Sequence, residues 1–140
     1  MPLYQVDAFT TKPFTGNPAA ICPLESWMDD GTLQAIAAEN NVSETVFFVG
    51  ASPLNYELRW FTPTTEVDLC GHATLASAFV LFNCRRVAGD TVRFNTRSGM
   101  LTVVQQNERL VMDFPSPHFS PVAHVDGGRL VRNALEIAWE

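Results

Sequence analysis

Residues 73–82 read Ala-Thr-Leu-Ala-Ser-Ala-Phe-Val-Leu-Phe, a run of helical length with no polar face beyond two small hydroxyls. A helix that is apolar all round is stable in water only when other elements enclose it. The run is far below the roughly 20 apolar residues that a membrane span needs, so lipid is not the enclosing medium. The rest of the chain must build walls around this segment. At 140 residues it is long enough for one packed domain and short for two ordinary ones. Ten Phe and three Trp supply bulky core filling.

The candidate walls are strands. Tyr4–Phe9 is a short opening strand, and Phe14-Thr15-Gly16-Asn17-Pro18 is turn chemistry. Ala19–Cys22 follows as a brief buried strand, ended by Pro23. Asp29 or Asp30 caps a helix that carries Leu33, Ile36 and Ala37 on one face, with Asn40 and Asn41 as left-handed stops. Val46–Val49 is a continuous apolar run. Leu54, Tyr56, Leu58 and Trp60 alternate with Asn55, Glu57 and Arg59, a period of two. After Gly89, three alternating segments broken at Ser98-Gly99 and Asn107-Glu108 form a β-meander. Pro115, Pro117 and Pro121 mark a linker-like stretch, and residues 129–138 suggest a short last helix. The expected fold is α+β, a mixed or antiparallel sheet curled around one buried helix. The domain spans residues 1–115, followed by a tail of 116–140.

Charge and cysteine usage exclude several classes. The net charge is −6, Lys12 is the sole lysine, and the arginines are scattered, so no basic stripe tracks a phosphate backbone. Nucleic acid is not an expected partner, and neither is a membrane. Met1–Gln5 lacks the features of a signal peptide. Cys22, Cys70 and Cys84 are odd in number and form no CxxC pair, which favours neither disulfides nor a thiolate zinc knuckle. A reduced, cytoplasmic protein is expected.

The stretch richest in chemistry is Glu66-Val67-Asp68-Leu69-Cys70-Gly71-His72-Ala73-Thr74, which leads into the apolar helix. The first N–H groups of a helix lack internal partners and carry partial positive charge. A carboxylate is therefore expected on the N–H groups from Gly71 to Thr74, with Gly71 allowing close approach and no metal required. The same field lowers the pKa of Cys70 if its sulfur points toward the helix end, and Cys70 should then alkylate faster than Cys84. The second stretch is Asn40-Asn41-Val42-Ser43-Glu44-Thr45. There Glu44, at the mouth of an apolar strand, is partly desolvated and suited to proton transfer. The third, Gly16-Asn17-Pro18, offers amide and backbone hydrogen bonds. Taken singly, each has a simpler reading: a core thiol and a capping His, a surface Glu, an ordinary turn.

Together and in order, these pieces resemble the PhzF family, named for the phenazine-biosynthesis isomerase. The resemblance is carried by Val6-Asp7-Ala8-Phe9 and by Phe14-Thr15-Gly16-Asn17-Pro18-Ala19-Ala20. It continues in Asn41-Val42-Ser43-Glu44-Thr45, in Leu58-Arg59-Trp60-Phe61-Thr62-Pro63, and in Glu66 through Thr74. It implies one of two pseudo-symmetric halves with a diaminopimelate-epimerase-like fold, and an active site in the cleft between the halves. It implies further that Glu44 is the general acid/base of a cofactor-free isomerase that shifts a proton on a small carboxylate-bearing metabolite. Gly71 and His72 would lie where substrate binds. Asn17, Ser43, Asp68, Cys70, Ala73 and Thr74 complete the expected binding set.

Two departures accompany the resemblance. Full-length members carry a second half that this chain lacks. Cys70 stands where related epimerases and racemases of this fold have a catalytic cysteine, which the phenazine enzyme itself does not. Two rivals therefore stand beside the isomerase: a cysteine-dependent epimerase or racemase using Cys70, and a non-catalytic half-protein that binds a ligand or self-associates. The missing half also leads to an expected homodimer, a second copy covering the exposed face.

Overall fold

The strand-like segments assemble into one mixed sheet of eight strands in a computed structural model, which describes residues 1–114. Its strands are β1 (Tyr4–Ala8), β2 (Asn17–Leu24), β3 (Glu44–Ser52), β4 (Asn55–Phe61), β5 (Glu66–Val67), β6 (Thr91–Thr96), β7 (Gly99–Gln106) and β8 (Arg109–Met112). The order across the sheet is β1-β2-β3-β4-β6-β7-β8, with β5 paired to β4. β2–β3 and β4–β6 are parallel and the other pairs antiparallel. Parallel neighbours need a crossover, and each crossover here carries a helix. Helix α1 (Asp30–Asn40) joins β2 to β3, and helix α2 (Gly71–Phe79) lies between β5 and β6. The expected tail and the boundary at 115 fall outside the described residues.

The sheet is curled. β1 and β8 stand at opposite ends of the strand order, yet both pack against α2, as do β2 and β3. The inner core joins Ala73, Ala76, Ala78, Val80 and Leu81 to Ile21, Val46, Phe48, Leu58, Trp60, Val92, Phe94, Leu101 and Val103. α1 lies on the other face, where Leu33 and Ala37 meet Cys22, Phe47 and Phe61. Val46–Val49 reads as a continuous apolar run because β3 is covered on both faces. The meander alternates because only its inner face is covered.

The long apolar helix is largely enclosed, as its composition requires. One position departs. Phe79 is 43% exposed, so the enclosure is not complete at the helix C-terminal end. There the helix widens into a π-helical turn, Val80–Cys84, whose end carries the exposed Cys84. The hydroxyls of Thr74 and Ser77 donate to the carbonyls of Cys70 and Ala73, at 2.6 and 2.8 Å, so neither is left unsatisfied in the core.

β2 is longer than its prolines suggest. Pro18 pairs with Asp7 of β1, whereas β3 begins alongside β2 only at Ala19. Pro23 pairs with Phe48 of β3, whereas β1 ends alongside β2 at Ile21. Each proline thus sits where β2 has a neighbour on one side only, the place where a missing N–H is tolerated.

Candidate active site

Three side chains meet at the start of α2. Glu44 opens β3, whose position is fixed by parallel pairing to β2 (Ala19↔Glu44) and antiparallel pairing to β4 (Thr45↔Phe61). Cys70 and His72 come from the turn into α2. That turn is anchored upstream by β5, where Arg59 grips Glu66 through two nitrogens at 2.7 and 2.8 Å and Arg97 adds a third contact at 2.8 Å. Arg59 also reaches Asp30 of α1 at 2.9 Å, and its guanidinium lies over the rings of Trp27 and Phe61. This ion-pair cluster sits on the outer face, opposite the site, and holds the approach to Cys70 in place.

His72 Nδ1 lies 3.2 Å from Cys70 Sγ, and His72 Nε2 lies 3.1 Å from Glu44 Oε2. The imidazole thus stands between a thiol and a carboxylate. The Nε2–Oε2 pair is close but out of line for a hydrogen bond, so both atoms are buried without a hydrogen-bond partner. Buried polar atoms are nearly always paired. Two adjacent exceptions, with His72 only 8% exposed, mark an unusual spot. The ring of Phe9 covers the imidazole at 6.4 Å between centroids, on a loop where Phe9 and Phe14 both have left-handed φ (60° and 64°). Bulky residues seldom adopt that region, and such strain gathers at functional loops.

Cys70 overturns one expectation. Its sulfur does lie at the helix end, approached by the N–H groups of His72 and Ala73, though too loosely to make a cap bond. The thiol is nevertheless pushed up to about 11, first by burial and further by the nearby Glu44 carboxylate. Desolvation and a neighbouring negative charge outweigh the helix-end field. Cys70 is also less exposed than Cys84, which reverses the expected order of alkylation.

The other expected residues divide. Asn17 and Ser43 are brought together, Ser43 Oγ donating to Asn17 Oδ1 at 3.0 Å, at the adjoining starts of β2 and β3. Thr74 is turned to the helix itself, its N–H and hydroxyl both donating to the Cys70 carbonyl. Ala73 is buried in the core. Asp68 is not one of the clustered donors: its side chain is 74% exposed and faces Arg97 at 3.7 Å. Gly71 is tight against the chain itself, since a Cβ there would stand 3.2 Å from the Phe114 ring and 3.8 Å from Met112. Its glycine character serves this packing. Sequence reasoning missed Phe9 as part of the site's surroundings; its place in the Val-Asp-Ala-Phe stretch was the available signal. Among the described residues no helix is long and apolar enough to cross a membrane.

Comparison with known proteins places this arrangement in a lineage. The family model described as phenazine biosynthesis-like protein matches residues 6–131. The chain is 57% identical over 125 residues to an uncharacterized isomerase of Pseudomonas aeruginosa, covering 89% of this chain and 48% of that protein. It is 45% identical over 122 residues to the human phenazine biosynthesis-like domain-containing protein, covering 82% and 42%. Among solved structures, a PhzF family protein of Enterococcus faecalis superposes with a TM-score of 0.81 at 47% identity, covering 91% of this chain and 49% of that one. A predicted epimerase of Pseudomonas aeruginosa gives 0.65 at 29% identity, covering 77% and 40%. The chain spans about half the length of the curated relatives it matches. With the curled sheet around α2 and the family's motifs gathered at its N-terminus, the chain belongs to the PhzF, or phenazine biosynthesis-like, family.

Proposed function

We propose that this chain supplies the first half of a cofactor-independent isomerase, in which Glu44 moves a proton between carbons of a small carboxylate-bearing metabolite. The observation that carries the reading is the pair Glu44 Oε2 and His72 Nε2, buried, 3.1 Å apart and without hydrogen-bond partners at the entrance to α2. A carboxylate oxygen left without a hydrogen bond is available to take a carbon-bound proton, and the adjacent imidazole can orient the substrate. Two relatives named as isomerases support the reaction class. Free thiols are in keeping with a reducing cytoplasm.

In this reading a second copy of the chain closes the cleft. Phe9 and Phe14, 75% and 97% exposed on the loop beside His72, are the apolar surface such a copy covers. Light scattering across a concentration series checks this; a monomer at high micromolar concentration ends the homodimer proposal.

The reaction is tested by incubating the protein with candidate small carboxylates in D₂O and following exchange by NMR. Exchange is expected, and Glu44→Gln slows it by about 10²–10⁴-fold, the usual weight of a general acid/base. A second reading, the cysteine-dependent epimerase, is favoured by the 3.2 Å approach of Cys70 Sγ to His72. In that case Cys70→Ala abolishes exchange and Glu44→Gln does not. Binding without exchange supports the non-catalytic half-protein.

A further inference from the structure

Hydrogen bonds do little to hold the imidazole of His72. Its Nε2 has no partner, and among the described residues its one hydrogen-bonding neighbour is Cys70 Sγ, 3.2 Å from Nδ1. Sulfur is a weak hydrogen-bonding group, whereas a working imidazole is ordinarily oriented by a carbonyl or an aligned carboxylate on one nitrogen. Packing must supply what is missing. The Phe9 ring lies 6.4 Å from the imidazole between centroids and is tilted by 51°, within the range of attractive aromatic pairs. We infer that Phe9 is a positioning residue, whose ring holds the His72 imidazole in place between Cys70 and Glu44.

Phe9 does not occupy this place for its own burial. It is 75% exposed, and its φ of 60° is left-handed, a conformation that a bulky residue keeps only where the surroundings enforce it. The enforcing structure is the loop between β1 and β2. At its neck Ala8 pairs with Asn17. A Cβ on Gly16 would collide with the Ala8 carbonyl oxygen and stand 2.6 Å from Thr10 Cγ2, so glycine is what lets the two ends close this tightly. The Ala8 carbonyl belongs to the same planar peptide as the Phe9 N–H, so the neck sets the direction in which Phe9 leaves β1.

Farther out the loop is bonded to itself. Asp7 Oδ2 accepts the Phe14 N–H at 2.8 Å, and Thr10 Oγ1 and Thr15 Oγ1 lie 2.6 Å apart. The Lys12 N–H donates to Thr10 Oγ1 at 3.0 Å, and the Thr15 hydroxyl donates to the Lys12 carbonyl at 2.8 Å. Such a loop presents Phe9 to His72 as a fixed part. Phe14, on the same loop, is 97% exposed and serves as the control ring. The effect of Phe9 on proton exchange rests on the isomerase reading, whereas its effect on the imidazole does not.

The test follows the His72 ring in the full chain by NMR. Nuclear Overhauser contacts from the imidazole to the Cys70 and Glu44 side chains are expected in the unsubstituted protein and in Phe9→Tyr, and are weakened in Phe9→Ala. Phe14→Ala keeps them, which separates positioning from any effect of the loop on self-association. Phe9→Ala also speeds acylation of His72 by diethyl pyrocarbonate about 2–12-fold, the equilibrium weight of one aromatic pair. Its thermal midpoint stays level, since the ring lies mostly in water. In the D₂O assay Phe9→Ala lowers kcat by up to about 10²-fold, the weight of a misplacement near 1 Å, with KM little changed and Tyr restoring the rate. Contacts that survive Phe9→Ala overturn the inference even if acylation speeds up, because the ring would then only cover the imidazole. Equal loss of contacts in Phe14→Ala overturns it too. Absence of exchange in the unsubstituted chain counts against the isomerase reading instead, and the NMR contacts still decide the role of Phe9.

Discussion

At the start of α1 the Asp29 carboxylate accepts from the Thr32 N–H at 2.9 Å and from the Thr32 hydroxyl at 2.7 Å. At the start of α2 the same position is held by Cys70, which makes no side-chain cap bond. Asp29 lies in water and its pKa is lowered, chiefly by the Thr32 hydroxyl and then by the backbone. Cys70 lies in the fold and its pKa is raised, chiefly by burial. One helix end is closed by its own sequence, and its free energy goes into the fold. The other has no side-chain cap, and beside it Glu44 Oε2 and His72 Nε2 are buried without hydrogen-bond partners. Among the described residues Trp60 Nε1 is also buried without a partner, but only at the start of α2 do two such atoms stand side by side; departures from local satisfaction are commonest where function competes with folding.

The comparison breaks most visibly on activity. Glu44→Gln is expected to slow proton exchange by about 10²–10⁴-fold, while its unfolding midpoint stays level or rises, because the amide relieves a buried carboxylate oxygen that has no hydrogen bond. A midpoint that falls steeply would make Glu44 a structural residue of the sheet.

The next effect separates the helices by what encloses them. Leu81, in the turn that ends α2, and Leu33, in α1, are both fully buried, but Leu81 belongs to the larger inner core. Leu81→Ala is expected toward the upper end of the about 2–5 kcal/mol range for such truncations, and Leu33→Ala toward the lower end. Urea midpoints at unchanged slope measure both.

Cys22, beneath α1, sharpens the comparison through pH. Burial pushes its thiol up from 9.0 to about 11. The unfolded chain gives up this proton first, so stability is level below pH 9 and falls as pH rises from 9 to about 11. One such thiol carries about 3 kcal/mol over that interval. Cys22→Ala should flatten part of the fall, and Cys70 accounts for a further part. A slope untouched by Cys22→Ala would show that the thiol titrates freely.

The smallest effect is at the closed helix end. Asp29→Ala removes a solvent-exposed cap, lowers the thermal midpoint by less than either leucine truncation, and leaves exchange unchanged. Loss of exchange in that variant would mean that α1 and the site are coupled, with the Arg59 contact to Asp30 as the physical route.

Much of this was legible in the chain. The apolar run at 73–82 demanded enclosure, and it has it everywhere but at Phe79. Asp29 and Asn41 bracket α1 as cap and left-handed stop, with Asn41 at φ 51°. The turns at Ser98-Gly99 and Asn107-Glu108 delimit the meander. The resemblance to the PhzF family points to Glu44 and His72 as one site, and the fold sets them 3.1 Å apart. What stayed hidden depended on tertiary neighbours. The Cys70 thiol is governed by burial and by Glu44, a residue 26 positions earlier in sequence. Gly71 reads as room for a ligand, and only the path of the chain after β8 shows Phe114 filling that side. The reach of β2 depended on how far each neighbour extends, which local composition does not encode.

That stagger has a consequence for how the sheet is protected from foreign strands. β2 has neighbours on both sides only at Ala19, Ala20 and Ile21. Beyond those residues each end is a short stretch of open edge, the sort of template on which a foreign strand adds. Pro18 stands at one open end and Pro23 at the other, and neither has an N–H to offer an incoming backbone. Strand exchange would thus gain little at the point where the short, terminal β1 is most easily displaced. Ladder extension at β2 is thereby disfavoured, and the curled sheet keeps its own register there.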